Sequence, residues 1–518
     1  MRHRFPDLFR NDRAPRDDGG PGSPGPSTAV VVAAWLVVGL VACAIQHPLH
    51  VPLQVDNQHY FFIAERAASG TPPHVSQFEP KNAVSMLMTA AAMKVGRVVG
   101  VSDLMSARAL SVLFAAMVVP LVWLVTREMT TNRVSPHLAA GAMLSFATFF
   151  HMAAMGARPK VFLATFLLLT TLAVARRRPA VAGVMAAAAF LCWQPGLLLL
   201  GSALVVFVLT GSGLRSIGVC AGAFLAVTLA YEGYFLAHGV LGVQIEQAYL
   251  FPATYMQADM TPTAEIAGRR LLWTLKLGHG PQPRNAIAIV ALIGFVAWWV
   301  RVALRPATLL SLRARPGPAF LVLAGHVALA FTLTNFQGHP DAFLVEPFIA
   351  VLAGLTAGAL VGLVTERAGA GAGRVLIGVC AAALALLAVS RAGDRASLER
   401  RYSLADQLDA GSRVGELLDE GLSVYAVGCT HLLAFNHVSN FVPFGFFFRG
   451  LSPYIEQRFG TPIYLPYRDD RPPDVILASR SGLTGADQWL RENYRETPEP
   501  LFAAQGIRVW RREPAQSR

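Results

Sequence analysis

The chain has 518 residues, 54% of them hydrophobic and only 15% charged, with a mean hydropathy of +0.45. Ordinary globular domains carry about 25% charged residues, so cores of normal size cannot hide this much apolar side chain and lipid must solvate part of it. The formal net charge is +12, but the basic residues are scattered between hydrophobic runs with no stripe interleaved with aromatics, which excludes a nucleic-acid footprint.

Residues 1–27 are polar, with Arg2, Arg4, Arg10, Arg13 and Arg16 ahead of a Gly/Pro/Ser stretch. The basic region is too long for a signal peptide, and no clear small-x-small site follows the first apolar run. It reads as a disordered cytosolic tail before an uncleaved helix. A spanning helix needs about 20 apolar residues. Candidate spans are 28–45, 107–126, 137–153, 161–175, 180–194, 196–210, 217–236, 286–303, 318–335, 342–364 and 375–390. This predicts an all-α polytopic membrane domain over 28–390 with about eleven crossings. Trp193-Gln194-Pro195-Gly196 reads as a tight turn between two short helices.

Alternating the spans from a cytosolic tail puts Arg127, Arg133, Arg176, Arg177, Arg178, Arg215, Arg301, Arg305, Arg313, Arg315, Arg367 and Arg374 inside. The outer loops carry fewer cations over a greater length, as the positive-inside rule requires for a cytosolic N-terminus and an extracytoplasmic C-terminus. Residues 83–99 are apolar enough to span, but crossing there would reverse the parity and expel Arg176–Arg178. Lys94 and Arg97 also interrupt the run, so it reads as an amphipathic interfacial helix. Two long outer loops result, 46–106 and 237–285, and ordered loops of this length tend to carry function.

From about Arg391 the character changes. Leu404–Leu418 has helical spacing, Ser423–Val427 reads as a strand and Thr430–Phe435 as a helix start. Asp474–Ala478 and Ile507–Trp510 read as further strands, with a helix over Gly485–Tyr494 between them. Residues 391–518 are therefore expected to form a small extracytoplasmic α/β domain. Gly-Ala-Gly-Ala-Gly at 369–373 reads as a linker, and the absence of a Walker A motif argues against an ATP-driven pump. The cysteines Cys43, Cys192, Cys220, Cys380 and Cys429 show neither disulfide nor zinc spacing.

The first outer loop concentrates the chemistry. Asp56 opens a helix whose Tyr60, Ile63, Ala64 and Ala67 share a face, and Gly70 with Pro72-Pro73 stops it. Asp56 is expected at the helix N-cap, where bonds to its charged form keep it ionised and fit for general-base work. Glu65-Arg66 and Glu79-Pro80-Lys81 follow. Lysine occurs only at Lys81, Lys94, Lys160 and Lys276, and arginine supplies every other cation.

This arrangement resembles the polyprenyl-phosphate-sugar glycosyltransferases of the GT-C fold, particularly the bacterial chains described as dolichyl-phosphate-mannose mannosyltransferases. In those families the first exoplasmic loop starts with an Asp after helix one, runs into a juxtamembrane helix ending at a Gly-Pro turn, and carries an acid–base pair further on. Here the proline stands between Glu79 and Lys81 rather than after them. The resemblance extends to Ala157-Arg158-Pro159-Lys160, to Gly338-His339-Pro340-Asp341 and to Tyr425-Ala426-Val427-Gly428-Cys429.

The resemblance implies transfer of a sugar, mannose in the family, from a polyprenyl-phosphate donor to an acceptor hydroxyl at the outer face of the cell membrane. Asp56 is then the catalytic base. Arg158, Lys160 and Lys81 steady the departing phosphate, and His59, Glu79, His339 and Asp341 serve binding. Snorkelling would account equally well for Lys160 and Lys276. His59, three residues from Asp56 on the same helical face, could orient it or share its proton, but the favoured reading is a solvent-facing histidine without a catalytic part. His47, His50, His59 and His74 lack a compact ligand pattern, so they are not read as a metal cluster; no cofactor is expected, and a divalent metal is left open although no acidic cluster demands one. Tyr249, Phe251, Tyr255 and Trp273 of the second outer loop read as an aromatic belt, with sugar stacking as the alternative, while Arg269 and Arg270 are candidates for touching lipid phosphate or donor. The competing readings are a secondary transporter, which would bury ionisable groups at mid-membrane, and a non-enzymatic membrane assembly protein.

Overall fold

The computed structural model describes residues 27–54, 56–256, 283–305, 307–334, 339–399, 403–448, 450–460, 472–479 and 487–512. The N-terminal tail, together with Arg269, Arg270, Trp273 and Lys276, lies outside them. The described chain is mostly helical with one small sheet near the C-terminal end.

The apolar runs form α1 (Thr28–Ala44), α4 (Asp103–Met129), the bent pair α5 (Ser135–Leu144) and α6 (Ala147–Ala154), α7 (Pro159–Ala175), α8 (Pro179–Cys192), α9 (Leu197–Leu209) and α10 (Gly213–Ala237). They continue in Pro283–Leu304, Pro316–Thr334 and Glu346–Glu399. Among the described residues, five helices are long and apolar enough to cross a membrane, and the α5–α6 pair, bent by 56°, makes a sixth. Helices α1, α7, α8 and α9 are apolar but shorter.

Small residues let these helices approach closely, which is how they associate where lipid removes any hydrophobic drive between them. A Cβ added at Gly354 would stand 2.4 Å from that of Ala139. Phenylalanines fill the space between: the rings of Phe114 and Phe162 lie 4.6 Å apart, and Phe149 meets Phe343 at 5.0 Å. The 369–373 linker contracts to one residue. Gly369, at φ 86°, breaks Glu346–Glu399 in a backbone region open to glycine, and helix resumes at once.

The first outer loop folds into α2 (Asp56–Ala68) and α3 (Val84–Val98). In α3 one face, Ser85, Met86, Thr89, Ala90, Met93 and Gly96, is buried, while Val95 and Val98 are exposed. That three-and-four spacing is the amphipathic pattern read from the sequence. Two side chains pin the segment leading into α2. Arg108 donates to the carbonyls of Pro48 and Val51 at 2.6 and 2.5 Å. Gln407 takes the Leu53 N–H and donates to the Leu53 carbonyl, both at 2.8 Å. Leu53 thus pairs with a side chain as it would with a neighbouring strand, and Asp56 starts from a fixed point.

Gln407 belongs to the helix Leu404–Asp419, whose N-terminus is closed by a reciprocal capping box between Ser403 and Asp406. Beyond it lie β1 (Val424–Val427), β2 (Val475–Ser479), β3 (Tyr494–Glu496) and β4 (Ile507–Arg512), in the order β1-β2-β4-β3. Strands β1 and β2 are parallel and the other pairs antiparallel. Three elements were not anticipated: the helices Leu451–Phe459 and Pro500–Ala503 and the edge strand β3. This domain packs onto α2, with Leu404, Leu432 and Leu433 in one core with Leu53, Phe61 and Ile63.

Candidate active site

Between α2, the Glu79–Lys81 turn, the start of α7, the Trp193–Leu198 turn and a loop of the C-terminal domain lies a cavity of about 620 Å³. Its polar wall carries Asp56, His59, Tyr60, Glu79, Lys81, Arg158, Lys160 and Asp341. The same cavity is lined by Trp193, Leu197, Leu198, Tyr249, Met256 and Phe331, with Phe446 and Phe448 contributed by the C-terminal domain.

Asp56 is the first helical residue of α2. The expected N-cap bond is not made. Among the described residues its carboxylate receives no backbone N–H, and Oδ2 instead accepts from Arg158 Nη2 at 2.7 Å. One position further into the helix, the carboxylate points outward toward the partner the fold supplies, while its place in the first turn still suits the helix dipole. Arg158 is buried and doubly held, because Nη1 also donates to Asn57 Oδ1 at 2.8 Å. Asn57, wholly buried, is tied by its amide to the Gly156 and Met152 carbonyls at 2.5 and 3.2 Å. Positive φ angles at Gly156 and Ala157 turn the chain so that Arg158 faces α2.

Burial alone would raise the Asp56 pKa. The cations facing it, Arg158 first and then Lys81 and Lys160, outweigh that and hold the carboxyl below its ordinary range.

The second acid–base group is Glu79 with His59 and Lys81. His59 is not solvent-facing but 2% exposed, and its Nε2 lies 2.6 Å from Glu79 Oε2. Lys81 sits 3.6 Å from Glu79 Oε1 and donates to the Tyr60 hydroxyl at 2.8 Å. Burial opposes charge on Glu79, yet Lys81 and the His59 bond more than offset it and keep the acid ionised. Burial likewise opposes the Lys81 ammonium, which the Tyr60 hydroxyl and the Glu79 and Asp56 carboxylates hold protonated.

The turn carrying these groups is clamped from three sides. Gln247 accepts from the Glu79 N–H at 3.0 Å and donates to the His74 carbonyl at 2.8 Å. Gln194 donates to the Pro80 and Ala248 carbonyls, both at 2.7 Å. The Gln77 amide, in the orientation that satisfies its neighbours, accepts from the Gly445 and Phe446 N–H groups. His74, fully enclosed, is pushed by burial down to about 4 and stays neutral.

The third pair joins Lys160, in the first turn of α7, to Asp341 in the short turn His339–Leu344. The Lys160 ammonium also lies 4.2 Å above the Trp193 ring. His339 opens that short turn, but its side chain lies outside the described residues. Sequence reasoning missed Asn57, Trp193, Phe446 and Phe448 as parts of the site. It treated Trp193 only as a turn residue; Tyr249, read first as a belt aromatic with sugar stacking as the alternative, lines the cavity.

Glu65, Asp103 and His437 present ligand atoms within 4.8 Å of one another. Arg97 already bonds both acids, at 3.2 and 2.7 Å, and Arg66 adds a second guanidinium 3.6 Å from Glu65. The cluster is an ion-pair network that joins α2, α4 and the C-terminal domain, and its charge is supplied without a metal.

Residues 70–215 match the family described as DolP-mannose mannosyltransferase, a stretch that includes Glu79, Lys81, Arg158 and Lys160 but not Asp56. In overall structure the chain is similar to ArnT from Cupriavidus metallidurans bound to undecaprenyl phosphate, with a TM-score of 0.60 at 12% identity over 94% of this chain and 99% of that one. The chain is a membrane glycosyltransferase of the GT-C fold. The apo form of the same ArnT gives a TM-score of 0.54 at 13% identity, covering 93% and 98% of the two chains. The oligosaccharyltransferase of Archaeoglobus fulgidus in complex with zinc and sulfate gives 0.50 at 14% identity, covering 86% and 68%. No curated protein matches this GT-C chain significantly in sequence.

The Asp56–Arg158 pair fixes the sign of a pH effect. A base whose pKa is depressed is ionised above that pKa and is lost only as pH falls through it. Arg158→Gln removes the largest lowering influence, so the acidic limb of the pH–rate profile should move to higher pH, whatever happens to the maximal rate. A limb that stays where it is in the variant would show that Asp56 is not the group being titrated.

Proposed function

We propose that this glycosyltransferase takes a sugar, mannose by the family description, from a polyprenyl-phosphate donor and passes it to an acceptor hydroxyl at the extracytoplasmic face. The observation that carries the reading is one cavity lined by both charged and apolar side chains. Its lining joins three carboxylates and three cations to apolar residues, among them Leu197, Leu198 and Phe331 on apolar helices. A lipid-linked sugar phosphate likewise joins a charged group to an apolar chain. The cavity volume is in the range of small-ligand sites, about 300–1,000 Å³.

The reaction follows from the groups present. Asp56 accepts the proton of the acceptor hydroxyl, and the freed oxygen electron pair attacks the anomeric carbon. The bond from that carbon to the lipid phosphate oxygen breaks, and the phosphate leaves with the electron pair. Lys81, Lys160 and Arg158 stabilise the charge that gathers on it. Glu79 holds His59 and Lys81 in position, and Asp341 does the same for Lys160. Phe446, Phe448 and Tyr249 give the sugar aromatic faces, and they bring the C-terminal domain into the active site.

The bilayer arrangement that accompanies this reading has about eleven crossings, with residues 1–27 cytosolic, 28–390 the membrane domain and 391–518 outside. The arginines that flank the inward turns support it. Arg313 is exposed between the helices Pro283–Leu304 and Pro316–Thr334, and Leu501 is exposed on the C-terminal domain. In sealed right-side-out vesicles a membrane-impermeant thiol reagent should label Leu501→Cys and spare Arg313→Cys. The reverse pattern contradicts the assigned sides.

General-base catalysis contributes about 10²–10⁴-fold. In membranes given radiolabelled mannosyl polyprenyl phosphate, Asp56→Asn should lower transfer out of the lipid fraction by about that factor. Transfer at the wild-type rate would remove Asp56 as the base.

A further inference from the structure

The three ion pairs around the cavity are not equivalent. Among the described residues the charges balance, with Asp56, Glu79 and Asp341 against Arg158, Lys81 and Lys160. Arg158 is additionally held by Asn57, and Lys81 by the Tyr60 hydroxyl. Among the described residues Lys160 bonds one acceptor, the Asp341 carboxylate, and lies over the face of Trp193. An ammonium has three N–H donors, so Lys160 keeps donors for a second acceptor. It stands at the start of the apolar helix α7 and shares the cavity with Leu197, Leu198 and Phe331. Its ammonium lies against Trp193 of the apolar lining, so a phosphate whose chain lies along those residues meets Lys160.

An anion already sits there. Asp341 is 3% exposed and faces Lys160 inside the cavity wall. A phosphate placed on the same ammonium would stand beside this carboxylate, and like charges at such distance repel strongly in a partly desolvated site. The phosphate therefore competes with the carboxylate for Lys160.

We propose that Asp341 is a built-in stand-in for the donor phosphate: it occupies Lys160 in the empty enzyme, is displaced when lipid phosphate binds, and returns to expel the polyprenyl phosphate left after transfer. This rests on the donor assigned above. No covalent step is involved. Lys160 exchanges one anionic acceptor for another, and Asp341 is a positioning residue that sets how tightly the phosphate is held.

The test uses the full-length protein in nanodiscs and undecaprenyl phosphate as the probe, with binding measured directly. Asp341→Asn should bind the lipid phosphate about tenfold more tightly than wild type, the scale of removing one modest competing interaction. It should also turn over more slowly, because release is impeded. Asp341→Ser, uncharged and smaller, should tighten binding as well, which guards against a folding defect peculiar to the amide. In a Lys160→Met background the gain from Asp341→Asn should vanish, because the contested cation is gone. Unchanged or weaker binding in both Asp341 variants, with wild type binding normally, overturns the stand-in role alone. Wild type that binds no undecaprenyl phosphate overturns the donor assignment, and this inference with it.

Discussion

A buried guanidinium needs an anion and hydrogen-bond acceptors, because an unpaired charge at such a site costs several kcal/mol. Arg158 obtains both from consecutive residues of one helix turn, Asp56 and Asn57. Most of what surrounds the cavity can be read as holding those partners in register. Arg108 and Gln407 fix the chain that enters α2, and the Asn57 amide ties the same helix back to the turn that carries Arg158. The pair then holds the Asp56 carboxylate, the proposed base, ionised and fixed in the cavity lining before any substrate arrives.

The cost of this arrangement is that, among the described residues, the acids and cations lining the cavity are already paired one to one. Anionic donor binding cannot simply add to it and must redistribute existing pairs. Such a site gains selectivity, since a ligand without a phosphate has nothing to offer the cations that their own acids do not. The neighbouring turns have few ways to move. Gln247 and Gln194 spend their amide groups on the backbone around Glu79, and Gln77 ties the same segment to the Gly445 and Phe446 N–H groups. That rigidity favours electrostatic preorganisation, in which charges need not reorganise as the phosphate departs. It also explains why a soluble domain far along the chain belongs to the site, since its Gly445–Phe446 backbone is one of the three anchors.

The parts of this that were legible in the sequence are those set by local pattern. Apolar length announced the long apolar helices, the run of Asp56, Gly70 and Pro72-Pro73 announced α2, and the Lys94 and Arg97 interruptions marked α3 as amphipathic. Pairings across distance were not legible. His59 reaches Glu79 through a turn whose shape depends on Gln247, and Lys160 meets a carboxylate 181 positions away. Trp193 carries no signal that separates a turn aromatic from the platform under an ammonium. The edge strand β3 is three residues long and shows no alternation, since only Tyr494 is buried. Asp56 was expected to cap a helix, and the difference of one position, invisible to spacing rules, decides that it meets Arg158 instead.

The central claim is that a lipid phosphate and its chain occupy the cavity framed by Asp56, Lys160 and Trp193. The most direct measurement is photo-crosslinking of the full-length protein in membranes with a polyprenyl phosphate that carries a diazirine on its first isoprene unit, followed by peptide mapping. Adducts within 193–198 and at Phe331, competed away by unlabelled undecaprenyl phosphate, are the predicted result. Adducts confined to the separate apolar groove of Phe295, Trp298 and His326, with none on the cavity wall, would contradict the account.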